Sequence, residues 1–159
     1  MTLRNSITAA IVLASLHASP VMAQNVTADV EQIAEIMRGE GLQAKIEYDD
    51  GRPSIVSGIS GYNFAVHPYG CNDEWKDCKF IQFRSSFATE DKLTLEQINT
   101  FAADNFFGRF YLDDEREPVI EMDLDLEAGG MSKELFVDNI AYWDMILAKF
   151  GDYVFSDDR

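Results

Sequence analysis

Residues 61–87 read GYNFAVHPYGCNDEWKDCKFIQFRSSF, and the way this stretch folds back on itself decides the architecture. YNFAVHP before Cys71 and KFIQFRSSF after Cys78 both carry the β-branched and aromatic content of strands. In the second, Ile81, Phe83, Ser85 and Phe87 alternate with Gln82, Arg84 and Ser86, which puts one face against a core and leaves the other wetter. Strands joined across so short a connection run antiparallel. The connection, CNDEWKDC, holds both cysteines of the chain.

Two thiols at this spacing have three uses to weigh. Structural zinc takes four ligands from Cys and His, and His67 is the other candidate once His17 is set aside with the N-terminal segment discussed below. A thioredoxin-like catalyst needs Cys-x-x-Cys at a helix start to depress a thiol pKa, and here six residues intervene. An even cysteine count close in sequence reads as a bridge in an oxidising compartment. The expectation is a Cys71–Cys78 disulfide stapling a hairpin loop, which removes roughly 2–3 kcal/mol of unfolded-chain entropy. Trp75 rides on the loop tip, either as a lid on the core or as an exposed contact.

The N-terminal residues bear on the compartment. MTLRN carries one cation, SITAAIVLASLHA is an apolar run too short to span a bilayer comfortably, and VMA has the small-residue pattern of a cleavage site. That pattern is a secretory signal peptide, with cleavage expected after Ala23 and a single domain over residues 24–159. The expected location is the periplasm or the exterior of a Gram-negative-type cell, with no membrane span in the mature chain. Losing Arg4 moves the formal charge from −15 to −16, with 28 Asp plus Glu. Such a chain repels phosphate backbones and anionic lipid, so nucleic acid is not an expected partner; proteins, cations and neutral molecules are.

Working outward, Val30, Ile33, Ala34 and Met37 recur at helical spacing, with Thr27 or Asn25 as cap and Gly39 and Gly41 as stop. In LQAKIEYD the period becomes two, with Leu42, Ala44, Ile46 and Tyr48 on one face. Asp50-Gly51 turns the chain, and PSIVSGIS then leads into the strand of the opening stretch. After the cysteine hairpin, Thr94 with Gln97 forms a capping box and Leu93 can staple onto Ile98. This helix is expected to run to about Phe107. RFYLDDEREPVIEMDLDLE reads as a hairpin, and a last helix follows Gly129-Gly130 with Ser132 as cap. The tail SDDR is expected to be disordered. The fold class is α+β, an antiparallel sheet packed with helices in the order α-β-β-β-β-α-β-β-α.

Chemistry is thinly represented. Glu121, Asp123, Asp125 and Glu127 share one face of a strand and could bind calcium or supply an acid and base. They lack the glycine and spacing of a calcium loop, and a solvated face that also discourages edge pairing accounts for them. No serine lies in Gly-x-Ser-x-Gly, and no glycine loop cradles a phosphate. The expectation is a non-enzymatic protein that needs no cofactor and no metal.

In the last helix Phe136, Ile140, Trp143, Leu147 and Phe150 share a stripe that belongs on the sheet, with Leu135 and Ile146 at its edge. Val137, Ala141, Met145 and Ala148 form a second, weaker stripe. It is either a partner or dimer surface, or a set of ordinary helix formers facing water.

The run from LEQINTFAADNFFGRF through YLDDE and VIEMDLDLE to Gly129-Gly130 and the last helix, preceded by CNDEWKDCKFIQFRSSF, resembles the YbjN family of bacterial sensory transduction regulators. The pieces that carry the likeness are Ile98-Asn99, Asn105, Arg109-Phe110 and the two-strand hairpin. Ala103-Asp104-Asn105 stands where many relatives are expected to have a Trp-Asn pair. The resemblance implies a fold similar to type III secretion chaperones and a role in regulation or protein interaction, with no catalytic residues to carry over. The reading is therefore a periplasmic interaction module whose partner surface uses Trp75, Val137, Ala141 and Met145, with a protein partner or a second copy bound on the sheet or last helix. The alternative is a small-molecule or cation sensor around Tyr111, Trp75 and Asp123.

Overall fold

The computed structural model describes residues 25–90 and 93–156. The expected leader over residues 1–23 and the expected disorder of the tail beyond Ser156 lie outside the described residues. The elements follow the expected order: α1 (Val30–Gly39), β1 (Lys45–Asp49), β2 (Arg52–Ile59), β3 (Tyr62–Tyr69), β4 (Phe80–Ser86), α2 (Leu95–Ala103), β5 (Arg109–Leu112), β6 (Pro118–Asp125) and α3 (Lys133–Phe155). The strands form one antiparallel sheet ordered β1-β2-β3-β4-β6-β5.

Local chemistry explains the meander. Asp50-Gly51 and Ser60-Gly61 make two-residue turns with positive φ at all four positions, the geometry that matches the twist of adjoining strands. Their register is tight, with Asp49 opposite Arg52 and Ile59 opposite Tyr62. The β3–β4 connection is longer and is closed by the Cys71–Cys78 disulfide. From β4 the chain crosses through α2 to β5 at the sheet edge, and β6 returns between β5 and β4. β6 has the longer apolar alternation and gains two partners, while the four-residue β5 leaves only a short edge.

Period two then sorts the side chains. Ile55, Val66, Phe83 and Met122 are neighbours across four strands, and all are buried. They face the helices, with α1 against β1 and β2, α3 against β3 and β6, and α2 against β5. The expected stripe of α3 is the core contact: Phe136, Ile140, Trp143, Leu147 and Phe150 are all buried, as is Ile146. Trp143 meets Phe64 edge-on at 5.7 Å and Phe83 at 5.5 Å, while Phe150 gathers Phe87, Phe101 and Phe110 within 5.5 Å. Leu135, at the edge of the stripe, is half exposed.

Three local expectations are corrected. The cap of α1 is Asp29, whose carboxylate accepts from the Gln32 amide at 2.8 Å. Thr27 is drawn away because its backbone N–H and hydroxyl both donate to the Gln32 side chain, and Asn25 donates instead to the Gly129 carbonyl. Helix α2 begins with the expected capping box but ends at Ala103, not Phe107. The Asn105 side chain donates to the Phe101 carbonyl at 2.7 Å, and Phe107 turns into the left-handed region at φ +70°, which ends helical winding. Finally, the acidic strand β6 is interior rather than an edge, so its carboxylates have no edge to protect.

Close approach fixes the N-terminal segment to the start of α3. Val26 and Met131 exchange backbone hydrogen bonds at 2.8 and 3.0 Å. Beside them Gly130 has φ +77°, and a Cβ there would lie 2.1 Å from the Val26 carbonyl oxygen. Gly130→Ala is therefore expected to cost about 2 kcal/mol or more, read as a fall of roughly 6–10 °C in melting temperature with the Val26 amide losing hydrogen-exchange protection first.

Candidate functional site

The sheet face turned away from the helices carries polar side chains in register. Arg109 stands opposite Glu121 on β6, and Glu121 stands opposite Arg84 on β4. One row further along, Asp123 stands opposite Gln82, and Gln82 opposite His67. Glu121, Asp123 and Asp125 do share a face of β6, whereas Glu127, expected on the same face, lies in the turn beyond the strand, and the four part company in depth. Glu121 is 6% exposed, whereas Asp123, Asp125 and Glu127 are open to water. The expectation of one uniformly solvated row is thus corrected at Glu121, because a central strand places cations on both sides of it.

Glu121 is fully partnered. Arg109 Nε donates to Oε2 at 3.0 Å and Arg109 Nη2 joins the same oxygen, Arg84 Nε lies 3.3 Å from Oε1, and the Tyr111 hydroxyl donates to Oε1 at 2.8 Å. Arg109 also reaches Asp123, which accepts from Gln82 at 2.8 Å. The bond to Glu121 holds the Arg109 pKa above its ordinary value, and burial followed by the Glu121 contact raises that of Tyr111. The half-buried His67 is held below its ordinary 6.5, first by burial and then by the nearby charges of Arg52 and Arg84.

The network continues to the stapled loop. The Tyr69 hydroxyl leans on Gln82 at 3.4 Å, and the guanidinium of Arg52 lies 4.7 Å from the Tyr69 ring centroid and 5.5 Å from that of Trp75. Nε and Nη2 of Arg52 are buried without a hydrogen-bond partner, so the two π faces stand in for a carboxylate. Tyr111, Asp123 and Trp75, expected to work together, therefore sit on one chain of contacts across the open face. Arg52 links them, and nothing in the sequence marked it, since a ring-stacked cation has no spacing rule.

Trp75 itself is held by its loop. The Asn72 side chain accepts from the amides of Glu74 and Lys76 at 3.0 and 2.9 Å, and Trp75 adopts φ +57°. It is neither a core lid nor free; 37% exposed, it rests on the β1–β2 turn, with its indole nitrogen near Gly51. With Tyr48, Pro53 and the start of α1 it walls a cleft of about 630 Å³. Among the described residues no group of three or more His, Cys, Asp or Glu side chains is placed to hold a metal ion.

The other expected surface lies on the outside of α3. Ala141 and Met145 are exposed and Val137 is half-buried, and none of the three approaches Trp75's loop through any described contact. Next to them is a surface the sequence reading missed. Phe106 and Phe107 are 78% and 53% exposed, and the Phe107 ring stacks on Tyr142 at 4.2 Å. No periodicity marks the pair, because it lies in the loop after α2 and not on a helix face.

Two outcomes test this description. Glu121→Ala leaves two arginines facing one another, and because both keep some water contact the cost should be about 1–3 kcal/mol; Glu121→Gln should cost less, as read by urea unfolding. His67 favours its neutral form in the fold, so its contribution is present above pH about 6.5 and is lost as pH falls toward its lower folded value. His67→Gln should flatten the loss of stability between about pH 7 and pH 5.

Neither a search of curated proteins nor one of solved structures returns a match. A model of the YbjN family, described as "Putative bacterial sensory transduction regulator", matches residues 29–156. That span takes in α1 through α3, including the stapled loop, the Glu121 network and the Phe106–Phe107 surface. The chain belongs to the YbjN family.

Proposed function

We propose that this chain is a non-enzymatic regulatory module of a Gram-negative envelope, delivered by a cleaved leader ending at Ala23, which works by binding a protein segment. The family description supports a regulatory role. The bonded cysteines suit an oxidising compartment. No helix among the described residues is long and apolar enough to cross a membrane.

The observation that carries the binding surface is the exposed apolar group of Phe106, Phe107, Tyr142 and Met145. Tyr142 and Met145 are three residues apart and so share a side of α3, and the Phe107–Tyr142 stack ties the loop to them. On a chain carrying −15, apolar rings held in this way cost solvation and backbone strain that water contact alone does not return. A partner segment, or a second copy, covers them in this reading. The surface joins Ala141 and Met145 of the expected stripe to aromatic residues from the α2–β5 loop.

The test is a photo-crosslinking residue at Phe106 and, separately, at Met145, in cells that export the protein. Discrete adducts are expected at both positions, and they should disappear when the other position is made polar, by Met145→Glu or Phe106→Ser. The material recovered should begin at Gln24 by intact mass. Absence of adducts at both positions, with a monomeric mass by light scattering, would remove the interaction surface.

A further inference from the structure

We propose that the cleft between the start of α1, the β1–β2 turn and the stapled loop binds a small organic cation bearing an alkylated ammonium group. The site is distinct from the α3 surface and does not depend on it. At about 630 Å³ the cleft is of small-molecule size. Its aromatic walls are Tyr48, 67% exposed, and Trp75, 37% exposed. Tyr48 faces the same side as Pro53, its partner across β1 and β2, but lies on the edge strand where no neighbouring strand covers it.

Charge decides the class of ligand. Among the described residues, Asp29, Glu31, Glu74 and Asp77 line the cleft against a single cation, Lys76, which is a net −3. Lys76 is itself paired with Glu74 at 3.1 Å. Arg52 lies behind Trp75 and is not part of the lining. The start of α1 contributes roughly half a positive charge, which still leaves the cleft negative. An anion is therefore repelled and a neutral apolar molecule would strand the carboxylates.

Geometry then separates the two kinds of cation. A metal ion needs several oxygens converging on one point, and among the described residues no group of three or more His, Cys, Asp or Glu side chains is so placed. An alkylated ammonium spreads its charge over methyl or methylene groups, needs no coordination shell, and is attracted by π faces and by diffuse negative charge. The disulfide and the Asn72 bonds set the position of Trp75 before any ligand arrives, so little ordering is needed on binding.

Calorimetric titration of the disulfide-bonded protein with choline, and with its neutral isostere 3,3-dimethylbutan-1-ol, tests the idea. Choline should bind saturably and the alcohol at least about tenfold more weakly, with choline affinity falling as salt rises. Trp75→Leu and Tyr48→Ala should each weaken choline by about fivefold to tenfold, Tyr48→Phe should retain it, and Glu31→Gln should weaken it and reduce its salt dependence. Tyr48 and Glu31 are exposed, so their variants fold even if Trp75→Leu does not. Sedimentation with phosphatidylcholine vesicles in addition to binding free choline would assign the cation to a lipid headgroup; binding of free choline alone would assign it to a soluble ligand. No saturable heat at tens of millimolar choline, equal affinity for the alcohol, or full affinity in Tyr48→Ala would overturn the proposal.

Discussion

Burial of one sheet face beneath the aromatic stripe of α3 is the constraint on which the rest of this molecule depends. Trp143 and Phe150 meet Phe64, Phe83, Phe87, Phe101 and Phe110, so one helix engages the middle of the sheet, its far edge and α2. A buried ring contributes on the order of 1.5–3 kcal/mol, and edge-on pairs add to that. With the helices committed to this face, every alternate side chain of the strands projects toward the opposite one. Gly151 shows how closely the helix sits, since a Cβ there would come 2.3 Å from the Tyr62 ring.

The opposite face obeys a different economy. Among the described residues no helix covers it, and beside the buried Val119 its interior strand positions hold polar groups that satisfy each other. Glu121 between Arg84 and Arg109 is the clearest case, and its low exposure comes from the stems and heads of its own partners. Charges taken from water contribute little net stability, but they fix which residues face which. Arg52 does the same without an anion, held between Tyr69 and Trp75. The result is a preorganised surface running from the hairpin edge at Tyr111 to the stapled loop.

Where chain connections are local, the residues alone carried the information. The capping box at Thr94 and Gln97, the cap at Ser132, the Asp50-Gly51 turn and the Cys71–Cys78 hairpin are interactions within a few residues, and each is found as expected. The α3 core stripe was legible for the same reason, because its period of 3.6 is written in one continuous segment. Errors arose where a side chain had a second local partner that outcompeted the expected one. Thr27 lost the cap of α1 to its bond with Gln32, and Asn105 turned back on Phe101 to end α2 early.

The sequence by itself determined the element order, the α+β class, the hairpins and which side of β1, β4 and β6 is apolar, since all of these follow from periodicity and short-range chemistry. Tertiary structure alone decided that β6 lies between β4 and β5, and with that choice came the fate of its acids. An alternating row of four carboxylates looks uniform along the chain; only neighbours from two other strands make Glu121 buried while Asp123, Asp125 and Glu127 stay wet. The same holds for the cleft of Tyr48 and Trp75 and for the stack of Phe107 on Tyr142. Each joins segments 27 to 35 residues apart, and no local rule of spacing encodes a contact that exists only once the sheet has brought its ends together.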